Sequence, residues 1–151
     1  MNLGIYTQVL GETEELKYAV TAINDGIENG ILKDASIFYN SAGPRPFQIN
    51  CGCFNSTELW GFTGLLIVTS LEAARTAISI VNKFSMVFYY NWEDVTSTLG
   101  LISVVNNPRV QTMCRSSEDA QELYRLTGVK ATAIVNNFNL DEMVWEEAGE
   151  T

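Results

Sequence analysis

Gly64-Leu65-Leu66-Ile67-Val68-Thr69-Ser70-Leu71-Glu72 decides the fold class. The first five residues are a continuous apolar run and not an alternating one. That is the pattern of a strand buried on both faces, as in a parallel sheet covered by helices. Thr69 and Glu72 are three apart and read as a capping box. The helix they open is expected to bury Leu71, Ala74, Ile78 and Val81. A strand followed directly by a capped helix is the repeating unit of an α/β domain.

The same unit recurs on both sides. Upstream, Leu3–Thr7 is a short apolar strand, and Leu16, Ala19, Val20, Ile23 and Ile27 mark one face of a helix. Glu12, Glu14 and Glu15 suit the positive end of its dipole, and Asn29-Gly30 supplies its stop. Ala35–Tyr39 is a second strand. Asn40–Pro46 is loop chemistry, Phe47–Phe54 a further strand, and Asn55 or Ser56 caps a helical turn through Leu59-Trp60, with Glu58 closing a box from Asn55. Downstream, Ser85–Tyr90 and Val110–Cys114 are strands, and Val95–Asn107 suits either a helix or a strand. Ser116 caps a helix that buries Ala120, Leu123 and Tyr124 and stops at Gly128. Ala131–Val135 is the last strand, and Leu140–Glu147 suits a terminal helix. The expectation is one three-layer α/β domain, with a mainly parallel sheet, helices on both faces and right-handed crossovers.

Composition narrows the function. The 151 residues are 46% hydrophobic and 18% charged, which excludes a disordered chain. Nine basic against 18 acidic residues give a net charge of −9, which repels nucleic acid and anionic membranes. There is no His, so His-based acid–base chemistry and His-ligated metals are excluded. No basic segment followed by an apolar run opens the chain, and its apolar stretches are too short to span a bilayer. Three cysteines do not make a disulfide framework, so a cytoplasmic protein with reduced thiols is expected, and the sequon Asn55-Ser56-Thr57 is read as a chance match.

In a doubly wound sheet, ligands lie beyond the carboxyl ends of the strands. That rim supplies the candidate binding residues: Thr7, Gln8 and Gly11 in the first loop, Asn91, Trp92, Glu93 and Asp94, then Arg115, Ser116 and Ser117, and finally Asn136 and Asn137. The first loop has one glycine, not the three of a dinucleotide fingerprint, and no phosphate loop ends in Gly-Lys-Ser/Thr. A flavodoxin-like phosphate binder is disfavoured for the same reason. Glu93 or Asp94 suits a general base, or else simply a helix N-terminus. Arg115 with the helix start at Ser116-Ser117 suits an anion, or else an ordinary serine cap with a solvent-facing Arg115. Cys51-Gly52-Cys53 brings two thiols to one face of an extended chain, and with Cys114 falls short of the four ligands of structural zinc. Trp60, Phe62, Tyr89, Tyr90 and Trp92 suit a stacking surface, or else core. No cofactor or metal is implied.

One resemblance extends this reading. Cys114-Arg115-Ser116-Ser117-Glu118-Asp119-Ala120, Leu123-Tyr124-Arg125-Leu126-Thr127-Gly128-Val129 and Ala133-Ile134-Val135-Asn136-Asn137-Phe138 resemble the end of the N-terminal Rossmann-like domain of GT-B glycosyltransferases. Trp60–Ser70 resembles an earlier strand and helix start of the same domain. Phe138 stands where that family has Gly, and the acidic residue that follows is displaced to Asp141. Small standalone proteins of this appearance occur among tailed phages. The resemblance implies half of a two-domain machine. It would hold a sugar acceptor or nucleotide-sugar with a partner subunit or a second copy, or else would be a binding module that kept the fold and lost the transfer chemistry.

Overall fold

A computed structural model describes residues 2–11, 14–43, 48–80, 84–90 and 97–135 of the chain. Within these residues seven strands form one sheet: β1 Asn2–Leu10, β2 Asp34–Ala42, β3 Gly52–Asn55, β4 Gly64–Val68, β5 Phe84–Tyr90, β6 Val110–Cys114 and β7 Ala133–Ile134. Every neighbouring pair is parallel. The spatial order is β3-β2-β1-β4-β5-β6-β7. The chain therefore winds outward from β1 in one direction and from β4 in the other, which is the Rossmann-like doubly wound order.

Among the described residues four helices cover the sheet: α1 Glu14–Glu28, α2 Leu71–Ile78, α3 Thr98–Val105 and α4 Ser117–Thr127. Leu16, Ala19, Val20 and Ile23 of α1 pack with Leu3, Ile5, Ile37, Leu65 and Ile67 on one face. On the other face, Tyr6, Leu66, Val68 and Phe88 meet Leu71, Ala74 and Ala77 of α2, Leu101 and Val104 of α3, and Leu123 of α4. Alternate residues of β4 thus go to opposite layers, which is why its sequence is apolar without a break. Among the described residues no helix is long and apolar enough to cross a membrane.

Local chemistry explains most of the boundaries. Asn55 caps a 3-10 helix, Ser56–Gly61, by accepting from the Thr57 amide. Gly64 has φ 133°, and a Cβ there would collide with the Asn2 carbonyl oxygen. Gly128 ends α4 at φ 74°, and its amide donates to the Tyr124 carbonyl.

Several expectations are corrected. The cap of α2 is Ser70 and not Thr69. Its buried residues are Leu71, Ala73, Ala74 and Ala77, with Ile78 half-buried and Val81 outside the described residues. Val95–Asn107 resolves to α3, because Ser97 caps it and Leu101, Val104 and Val105 share a buried face. β1 and β2 run longer than their apolar cores, while β3 and β7 are shorter than expected. Tyr124 is 52% exposed, because α4 needs only Leu123 and its flanks to cover the sheet edge. Leu140–Glu147 lies outside the described residues.

Candidate functional site

The carboxyl edge of the sheet is uneven, and the unevenness is built into the register. β1 pairs with β4 only from Leu3↔Leu65 to Tyr6↔Val68. Beyond that, β1 continues against β2 through Thr7↔Tyr39, Val9↔Ser41 and Leu10↔Ala42. The Gly43 amide extends this ladder, donating to the Leu10 carbonyl at 2.7 Å. On the far side, β5 passes its last pair with β4, Val68↔Phe88, and goes on through Tyr89 and Tyr90 beside β6. β4 is therefore the short strand between two longer ones. A notch opens above it, at the point where the strand order reverses, which is where doubly wound folds place their ligands.

Thr69 and Ser70 form the floor. The Thr69 amide donates to the Tyr6 carbonyl at 3.1 Å, and its hydroxyl donates to the same oxygen at 3.3 Å. Those two bonds finish the β1–β4 ladder. Ser70 then turns into α2 and accepts from the Ala73 amide at 3.1 Å. One wall is Thr7–Gly11. Thr7 and Gly11 are buried and Gln8 is half-buried. The Thr7 hydroxyl faces the Val9 carbonyl at 3.5 Å.

Asn40 joins this region through a residue that sequence reasoning passed over. The Tyr6 ring is fully buried, and its hydroxyl donates to Asn40 Oδ1 at 2.8 Å. Asn40 itself is exposed, so its amide is held from below by a buried hydroxyl. The signal was a lone tyrosine amid an apolar strand, whose hydroxyl must find a partner once buried.

The remaining candidates divide. Thr7, Gln8 and Gly11 border the notch. Arg115, Ser116 and Ser117 sit two strands away at the end of β6, roughly 10 Å along the rim at ordinary strand spacing. Ser116 caps α4 by accepting from the Asp119 amide at 3.2 Å. Arg115 Nε donates to Asp119 Oδ2 at 3.3 Å, with the carboxylate almost buried. The Arg115 guanidinium is thus paired with the first turn of α4 and does not simply face solvent. Asn91, Trp92, Glu93, Asp94, Asn136 and Asn137 lie outside the described residues.

Of the aromatic set, Phe62 and Tyr89 are core. Tyr89 donates its hydroxyl to the Val135 carbonyl at 2.6 Å, and Trp60 is 60% exposed. Among the described residues no group of three Cys, Asp or Glu could hold a metal ion. Cys114 is buried, and its thiol is pushed up to about 12 by burial first and the Asp119 charge second. The described part of the notch therefore offers hydroxyls, amides and backbone groups. These are groups that hold a polar molecule by hydrogen bonds. The search for relatives adds nothing to this geometry: no family model, no curated protein and no solved structure matches the chain.

Proposed function

We propose that this chain is a sugar-binding domain of the GT-B N-terminal type, holding a neutral, hydroxyl-rich acceptor in the notch above β4. The observation that carries the reading is the register: β1 and β5 both outrun β4 at the switch point. The groups around that gap, Thr7, Gln8, Asn40, Thr69 and Ser70, are uncharged. Sugar hydroxyls donate and accept in turn, and neutral side chains of this kind satisfy them without a counter-ion. Glu12, Glu14 and Glu15 follow the first loop directly and disfavour a diphosphate there. In this reading a partner subunit or second copy supplies the donor half. In this reading the protein works in the cytoplasm.

The test is an amide-resolved NMR titration of the full chain with a panel of neutral mono- and disaccharides, with uridine and adenosine diphosphates as separate arms. Saturable shifts at Thr7, Gln8, Thr69 and Ser70 with a sugar, and none with diphosphate alone, are expected. Diphosphate binding at those residues would overturn the reading, as would a sugar panel that moves no rim amide. A module that kept the fold for protein contact alone would give the second result.

A further inference from the structure

Cys51 and Cys53 lie apart from the notch, where the chain enters the edge strand β3. We propose that they are a dithiol that closes reversibly to a Cys51–Cys53 disulfide by exchange with a small disulfide such as glutathione disulfide. The inference is independent of the sugar-binding reading.

Three observations place the two sulfurs together. Both side chains are half-buried against the α1-side core, so they lie on the same side of the chain at the start of β3 while remaining reachable. The Cys53 thiol donates to the Cys51 carbonyl oxygen at 3.9 Å, folding the side chain back toward its neighbour. The Cys51 thiol is also raised above its ordinary range, with Cys53 beside it as the first cause and burial as the second. Gly52 between them serves the other face, where a Cβ would meet the Phe54 ring at 2.7 Å. The spacer is therefore the one residue type that lets that ring sit where it does. It also leaves the backbone freest to bring two Cα atoms within the ~4.4–6.8 Å that a disulfide requires.

The approach to this segment is anchored. Asn24 of α1 donates from Nδ2 to the Gln48 carbonyl and accepts on Oδ1 from the Asn50 amide, each at 3.0 Å. Cys53 is fixed on its other side by pairing with Ile37 of β2. Ring closure thus needs adjustment only at Cys51 and Gly52. Cys114 is fully buried in the opposite layer and cannot compete.

The exchange balances in two steps. One cysteine thiolate attacks the small disulfide, forming a protein–small-molecule S–S bond and releasing one small thiol, which takes up a proton. The second cysteine, as thiolate, attacks the protein sulfur of that bond, forms the Cys51–Cys53 bond and expels the second small thiol. Two protein thiols are oxidised, and one small disulfide is reduced to two thiols.

The experiment incubates the full chain in glutathione redox buffers, quenches with iodoacetamide in denaturant so that buried Cys114 is also alkylated, and reads intact mass and a peptide map. Expected is a species lighter by two hydrogens whose alkylatable thiols fall from three to one, with the bridge inside the Cys51–Cys53 peptide. C114S is expected to form the same bridge. C51S and C53S are expected to stop at the mixed glutathione disulfide, since the resolving thiol is gone. Should either variant fail to fold, the wild-type map still decides. Stable glutathione adducts on the wild type without a bridge, a bridge to Cys114, or Cys51 and Cys53 that stay fully alkylatable in oxidising buffer would each overturn the proposal.

Discussion

Cys114 ends β6 with no exposed surface, and its thiol is held up at about 12 against an ordinary 9.0. Burial is the main cause, and Asp119, in the first turn of α4, adds its charge. The folded state therefore keeps this proton at pH values where the unfolded chain has already lost it. The resulting stability is fully present below pH 9.0 and is lost as pH rises through about 12. Within that window the slope for this one group is about 1.4 kcal/mol per pH unit. Cys51 is raised too, by its hydrogen bond to Cys53 ahead of burial, and it pushes in the same direction. Urea unfolding of the wild type and of Cys114→Ala at pH 8 and pH 10 separates the Cys114 share. The wild type should lose more stability between the two pH values than the variant does. Equal losses would mean that the thiol ionises in the fold as it does in the open chain.

At the scale of elements, the junction of β4 and α2 divides two adjacent hydroxyls between two jobs. Ser70 caps the helix, whereas Thr69 closes the strand ladder on the Tyr6 carbonyl, an oxygen that the Thr69 amide also holds. Ser70→Ala should cost about 1 kcal/mol, the usual loss of a cap. Thr69→Val should cost less, because the Tyr6 oxygen keeps its amide donor. Thermal or urea melts of the two variants give the ranking, and the reverse order would make Thr69 the cap. The sequence reading placed a capping signal here but on the wrong residue, since both hydroxyls fit a pattern and only the register of β1 against β4 distinguishes them. Elsewhere local chemistry sufficed: β6 spans the five residues read for it, and Ser116 and Gly128 bound α4. The strand lengths were less legible. β1 and β2 extend past their apolar residues because each lends the other a partner, and β3 and β7 shrink because an edge strand has only one. Tyr124 was misread because helical spacing reports a face, not how much of that face the sheet edge can cover.

For the whole molecule, the layered parallel sheet was legible because the unbroken run Leu65–Val68 already implies cover on both sides. The site was legible only as a rim. Its focus depends on the order β3-β2-β1-β4-β5-β6-β7, and no local window of sequence contains a strand order. The same order makes β4 the shared wall of both cores. Ile67 points toward the α1 layer and Leu66 toward the α2 layer, and each is fully buried. A strand that belongs to both layers should couple them into one folding unit. Ile67→Ala removes atoms from the α1 layer only, at a cost of about 2–5 kcal/mol. The backbone of Ile67 is paired with Ile5 on one side and Val87 on the other, so the disturbance reaches the strands that carry the α2 layer. The variant should therefore unfold in urea at a lower midpoint with far-UV circular dichroism and tryptophan fluorescence still superimposed. Two separated transitions would show that the layers fold apart, and the notch would then be bounded by strands of unequal stability.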